Sequence, residues 1–190
     1  MLLNNIKLVP IRATDYHTVQ NMARFYVYDI SEYMGCEAGW ELPLNGLYEC
    51  IDFKKYWDDP ARQFPFFIYF KDEIAGFVII DKQGVDDGVD FNIAQFFVLR
   101  KFKRMGIGRH VAQLCFDRFV GKWNVMCLPG NQGAYQFWRS VVNAYTKGLS
   151  EDQLDRYIPH LDDRYHLFPF VSRAKSHSDG EHSEGRLCSP

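Results

Sequence analysis

The chain has little that would tie it to a secreted, membrane-bound or metal-dependent protein. Its five cysteines, Cys36, Cys50, Cys115, Cys127 and Cys188, are odd in number and include no Cys-x-x-Cys pair. That favours free thiols in a reducing compartment over a disulfide framework. No apolar run approaches the ~20 residues of a membrane helix, and Met1-Leu2-Leu3-Asn4-Asn5-Ile6-Lys7 lacks the layout of a secretory signal. A cytoplasmic protein without a membrane partner is expected. His17, His110, His160 and His166 are scattered and His177 and His182 lie near the end, so no metal is expected. There is no Gly-x-x-x-x-Gly-Lys-Ser/Thr loop. Gly106-Ile107-Gly108 has Val111 where a dinucleotide fingerprint has its third glycine. An excess of positive charge is missing as well, since the net charge is −2, which argues against a nucleic-acid partner.

What is present fits one globular domain. A chain of 190 residues with 47% hydrophobic and 24% charged residues can bury a sizeable core. Aromatic content is high at 16%, enough for rings to line a pocket as well as the core. Ile6 to Arg12 reads as a strand, with Pro10 pointing to a sheet edge. Val19, Met22, Ala23, Tyr26, Ile30 and Tyr33 share a helical face that Gly35 would end. A short second helix is expected from about Cys50 to Trp57, stopped before Pro60. Phe64–Phe70 and Ile74–Asp81 read as a hairpin, Asp90–Leu99 as a strand and Ile107–Val120 as a helix. Trp123–Leu128 follows as a strand. Asn131 then caps a helix with Ala134, Phe137, Trp138, Val141, Val142 and Tyr145 on one face. Thr146 to Ile158 should hold a short strand and an acidic loop, and Tyr165–Val171 a last strand. From Ser172 to Pro190 almost nothing is apolar, which predicts a disordered tail (172–190) behind one domain (1–171).

The stretch Val98-Leu99-Arg100-Lys101-Phe102-Lys103-Arg104-Met105-Gly106-Ile107-Gly108-Arg109 stands out. It takes a strand into a helix through a turn with two glycines and a cluster of cations, and no acidic residue occurs between Gln95 and Asp117. Backbone N–H groups and the helix dipole converge at such a turn and suit an anion such as a pyrophosphate.

Lys103-Arg104-Met105-Gly106-Ile107-Gly108 resembles the Arg/Gln-x-x-Gly-x-Gly/Ala loop of the GCN5-related N-acetyltransferase (GNAT) superfamily, with lysine at the usual Arg/Gln position. Asn131-Gln132-Gly133-Ala134-Tyr135-Gln136-Phe137-Trp138 resembles the family's Asn-x-x-Ala-x-x-Phe-Tyr motif, and the coarse element order agrees from Ile6 to Val171. The resemblance implies an α/β (α+β) single domain, with a mixed central sheet of six to seven strands flanked by about four helices. It implies acetyl-CoA as cosubstrate, no metal, and transfer of the acetyl group to a primary amine of a small acceptor by direct attack on the thioester. The backbone at Phe97 and Val98 would meet the pantetheine arm, and amides from Lys103, Arg104, Met105, Gly106, Ile107 and Gly108 the pyrophosphate. Arg109 would add charge, and Asn131 would bond the arm while also capping its helix.

An alkylammonium must lose a proton before it can attack. Asp90, at the head of its strand, is the expected base. Trp138 stands where the family often has tyrosine, and an indole is no acid at neutral pH. Tyr135, one turn earlier, is the expected substitute, with Trp138 read as a core ring. Tyr28, Asp29 and Glu32 would form an aromatic and acidic wall for a cationic acceptor. The alternative is a non-catalytic acyl-CoA sensor on the same fold, which Trp138 would favour. The small-molecule amine is the expected partner, with a homodimer as the assembly allowed for.

Overall fold

The computed structural model describes residues 5–34, 40–48, 52–82 and 86–173. Apolar β-branched and aromatic residues dominate Gln63–Phe70 (β2) and Glu73–Asp81 (β3), and the two-residue turn between them leaves room only for a hairpin. β3 is buried from Ala75 to Asp81, so it lies inside the sheet. Ile6–Pro10 (β1) pairs antiparallel with β2 and forms one edge, where Pro10 costs no ladder bond. Phe91–Val98 (β4) pairs antiparallel with β3, and Lys122–Cys127 (β5) pairs parallel with β4. Asp163–Val171 (β7) and Gln153–Ile158 (β6) complete a seven-stranded sheet in the order β1-β2-β3-β4-β5-β7-β6.

Helix α1 (Tyr16–Met34) covers one face through Val19, Met22 and Ala23, beside a 3₁₀ turn at Phe53–Trp57. Helices α2 (Ile107–Arg118) and α3 (Gln132–Thr146) cover the other. Asn131 starts α3 by accepting from the Ala134 N–H at 2.8 Å. Left-handed Lys147 ends it. The result is a single α/β domain with a mixed sheet.

Three expectations change. Three α-helices are present among the described residues, not four. The described part of the expected Cys50–Trp57 helix is a five-residue 3₁₀ turn, capped by Asp52 accepting from Lys54 N. Ser172 belongs to the fold rather than to a tail: it is 2% exposed, its N–H donates to Gly121 O, and its hydroxyl donates to Phe119 O. The Gly35 helix stop and residues 174–190 lie outside the described residues.

The feature that creates a site is the parting of β4 from β5. They share two register pairs, Phe91↔Trp123 and Asn92↔Asn124, and no more. Just beyond, Ile79 pairs with Gln95 and Ile80 with Ile93, so Ala94 is an extra residue on β4. Such a bulge bends its strand and raises the local twist. β4 therefore turns away from β5 and leaves a wedge between two parallel strands.

β4 is held to β3 by close approach at Gly76, where a Cβ would lie 2.0 Å from Phe97 O. Backbone cannot yield that distance. We expect Gly76→Ala to lower stability by about 3 kcal/mol or more in urea unfolding. Gly130→Ala, with its nearest neighbour at 4.0 Å, should change little.

Candidate active site

Register decides which backbone groups of β4 face the wedge. Leu99 N–H donates to Ala75 O at 2.8 Å. The alternation of an antiparallel ladder then sends the N–H and C=O of Phe97 to β3 as well, in line with the close approach of Phe97 O to Gly76. Phe96 and Val98 point their backbone groups the other way, into the wedge. The expectation at Val98 fits this geometry. That at Phe97 is corrected to Phe96, because the Phe97 groups are used inside the sheet.

Beyond Val98 the chain makes a 3₁₀ turn at Arg100–Phe102, anchored by the 3% exposed Phe102 against Phe70. Arg104 and Gly106 then take φ of 66° and 78°. Two left-handed residues so close turn successive N–H groups inward, the arrangement of an anion nest. The first helical bond of α2 is His110 N–H to Gly106 O at 3.1 Å. The amides of Arg104, Met105, Gly106, Ile107, Gly108 and Arg109 donate to no group among the described residues. The cradle is neither blocked nor self-satisfied. Gly106 is needed for its left-handed backbone. A Cβ at Gly108 would meet the Phe137 ring at 3.3 Å, so this residue also sets how closely α2 and α3 pack.

The cations around the bend are mostly committed. Lys101 pairs with Glu73 at 2.6 Å. Asp29 on α1 accepts from Arg100 at 2.7 Å through one oxygen and from Lys103 at 2.8 Å through the other. Burial would raise the Asp29 pKa, but the hydrogen bonds and charges of Lys103 and Arg100 outweigh it and hold the carboxyl below the usual range. Arg109 donates to Ser140 Oγ on α3 at 2.7 Å. Arg104 is exposed and has no acidic partner among the described residues.

The remaining expected residues do not converge. Asp90 sits at the closed end of the wedge, where its carboxylate accepts from Lys122 N–H at 2.8 Å; it caps backbone there and does not face the open part. Tyr135 packs its ring on His166 and Phe168 of β7 and points its hydroxyl at Asp152 at 3.5 Å. β5, six residues or roughly 20 Å long, separates the two in the fold. Trp138 is 5% exposed among Phe96 and Phe137, a core ring. Tyr28 and Glu32 are exposed on α1, and Arg100 lies over the Tyr28 ring at 5.6 Å. Asp29 faces the basic bend rather than an open pocket. The sequence reading missed Asp81, Asn92 and Asn124, which are buried together where β4 and β5 part. The one available signal was a carboxylate closing the apolar run Ile74–Ile80.

A family model described as "Acetyltransferase (GNAT) family" matches residues 27–141, more than half of the chain. The chain belongs to the GNAT acetyltransferase family. It is an acyltransferase, and the donor its family uses is acetyl-CoA. Among solved structures, this GNAT domain is similar to an acetyltransferase from Thermus thermophilus, with 14% identity, 90% of this chain and 99% of that chain covered, and a TM-score of 0.64. It is also similar to a dodecameric spermidine N-acetyltransferase from Vibrio cholerae (11% identity, 89% and 95% covered, TM-score 0.52). A third is an aminoglycoside acetyltransferase in complex with coenzyme A (17%, 87% and 94%, 0.53). At these identities the likeness shows the fold. A comparison with curated proteins finds no match by sequence.

The residues of this GNAT domain fit a pyrophosphate-bearing donor. Free amides at a helix N-terminus, a left-handed glycine and the uncommitted charge of Arg104 meet the need. Each amide bond to a charged oxygen contributes roughly 1.5–3 kcal/mol, against about 0–1 for an exposed side-chain pair. The amides therefore dominate, and Asp29 opposes binding by occupying Lys103 and Arg100. We expect Asp29→Asn to tighten coenzyme A binding about fivefold at low salt, with the gain shrinking as ionic strength rises, as read by calorimetry. Because the folded pKa of Asp29 is lowered, its bridge stabilises the protein above an unfolded value of about 3.9 and is lost as pH falls through the folded value. The variant should lose less melting temperature on that acid limb.

Proposed function

We propose that the protein transfers an acetyl group from acetyl-CoA to a primary amine of a small acceptor, by direct attack of the amine on the thioester. The observation that carries this reading is the run of undonated amides from Arg104 to Arg109 at the mouth of the β4–β5 wedge. The two relatives named for spermidine and for an aminoglycoside act on amine-bearing small molecules, which supports the acceptor class.

Bound acetyl-CoA supplies the activated acyl carbonyl; the chain supplies grip, orientation and shielding. The amides of residues 104 to 109 hold the pyrophosphate, with Arg104 adding charge and Lys103 doing so once it leaves Asp29. Phe96 and Val98 offer β4 backbone groups to the arm. The Asn131 carbonyl is used on Ala134 N–H, which leaves the side-chain N–H₂ to donate toward the arm. Phe137 and Trp138 wall the α3 side against water.

Among the described residues, side-chain chemistry favours direct attack over a relay through cysteine. Burial pushes the Cys127 thiol up to about 12, helped by the charge of Asp152, and burial pushes Cys115 to about 12 as well. Neither is a thiolate at neutral pH, and neither is a nucleophile. Tyr26, packed against Phe77 and Phe97, is pushed to about 12 by burial and then by Tyr165, so it stays neutral and is no base. Trp138 is buried against Phe96 and Phe137, as a core ring should be.

Gly106→Glu places bulk and negative charge at a left-handed position inside the cradle. We expect it to abolish acetyl-CoA binding in a calorimetric titration while circular dichroism stays that of the native protein. Unchanged affinity would overturn the reading. Wild-type protein should release free thiol from acetyl-CoA with at least one member of a primary-amine panel.

A further inference from the structure

Strand β2 outruns its partner at the sheet edge. β1 ends at Pro10, opposite Phe66, while β2 reaches back to Gln63. The next rung is incomplete: Ile11 N–H donates to Pro65 O at 3.0 Å, but Pro65 has no N–H to return. The Ile11 carbonyl accepts instead from the Trp57 indole N–H at 2.9 Å. That bond draws the Phe53–Trp57 turn beside the uncovered end of β2 and leaves a cleft of about 280 Å³. The volume is at the small end for ligand pockets. Tyr56, Pro65 and Phe66 form its buried lining, with Trp57 and Phe64 half-buried beside them.

Cations surround these rings. Arg118, at the end of α2, lines the cleft and lies over Phe66 at 4.7 Å. Lys55 lies over Tyr56 at 5.0 Å and Lys82 over Phe64 at 5.8 Å. None of the three forms an ion pair among the described residues. A contact with a ring face holds a cation in place without cancelling its charge. The acidic groups close by in the chain oppose this only in part. Asp15 is paired with Arg12, Asp59 accepts from Ala61 N–H at 3.2 Å, and Asp58 is exposed. In a chain of net charge −2 the cleft is a local positive region.

We infer that this cleft is a binding site for a small aryl carboxylate, separate from the transfer site. The ring of such a ligand packs on Tyr56, Trp57, Phe64 and Phe66, and the volume admits one or two fused rings. Its carboxylate meets the planar fork of Arg118, the geometry in which guanidinium and carboxylate pair best. A neutral arene would leave the cations unanswered, and an aryl ammonium would be repelled by them. The location keeps the cleft apart from the wedge and the phosphate cradle. Gln63 is the register partner of Asp81 on β3, and Asp81 of Asn92 at the start of β4. The cradle follows the far end of β4, eight residues or roughly 25 Å further along. The inference goes beyond the acetyl transfer proposed above and does not rest on it.

The test is a titration of the full-length protein with 1-naphthoate, following the indole N–H resonance of Trp57 and the side-chain amide of Gln63. 1-Naphthalenemethanol and 1-naphthylmethylammonium are the neutral and cationic controls. The expected result is saturable shifts of both signals with naphthoate, and affinities at least fivefold weaker for each control. Arg118→Gln should weaken naphthoate at least fivefold, with native circular dichroism and with coenzyme A affinity within twofold. No saturation, or a difference below fivefold between naphthoate and either control, overturns the inference; these arms need no variant. So does a loss below fivefold in folded Arg118→Gln. Should that variant not fold, Lys55→Gln/Lys82→Gln takes its place, with a loss of at least twofold expected and a smaller one overturning the inference.

Discussion

Two register pairs hold β4 to β5, and the binding geometry of the molecule depends on their ending where they do. A sheet strand normally uses both edges of its backbone. Past Asn92, β4 uses only the edge toward β3, because the extra residue Ala94 bends it away from β5. Phe96 and Val98 are left with backbone groups facing open space between two strands. The close approach at Gly76 holds the bent strand in place from the other side. A site made this way is rigid, since sheet hydrogen bonds and the cores on both faces fix its walls.

The bend that follows β4 continues the same logic. Its polar groups are backbone amides, fixed by two left-handed residues and the start of α2, and not by flexible side chains. The surrounding cations look decisive in sequence, yet three of them are engaged by acidic partners: Lys101 by Glu73, and Arg100 and Lys103 by Asp29. Their field at the cradle is partly cancelled until those bridges open. Asp29 thereby links the helix that flanks one side of the site to the loop that would bind phosphate, and the occupancy of one bears on the other.

Much of this was legible in the sequence, for identifiable reasons. Helical spacing in α3 and unbroken apolar runs in β2 and β3 fix elements almost without tertiary context. The Gly106 turn is readable because a left-handed cap before a helix nearly demands glycine. Residues whose role depends on long-range pairing were not legible. Phe97 reads as a residue facing the arm because strand direction does not reveal which edge a given residue presents; register turns Phe96 that way instead. Asp90 read as an exposed catalytic carboxylate, whereas the contact with Lys122 N–H is created by a strand 32 residues away. At Gly108 the close approach of Phe137 across the α2–α3 pair is a packing constraint that its own sequence neighbours do not disclose. The buried contact of Asn92 with Asp81 exists only through register, and its one local signal is the carboxylate that closes the apolar run Ile74–Ile80.

In the proposed function, the amides from Arg104 to Arg109 are the phosphate grip of a donor lying in the wedge. The most direct measurement is a titration of isotope-labelled protein with coenzyme A, read through backbone amide resonances. The largest saturable shifts are expected at residues 104–109, with a second group at Phe96 and Val98 and only small changes on the outer strands β1 and β6. Saturable binding that leaves residues 104–109 unmoved would contradict it.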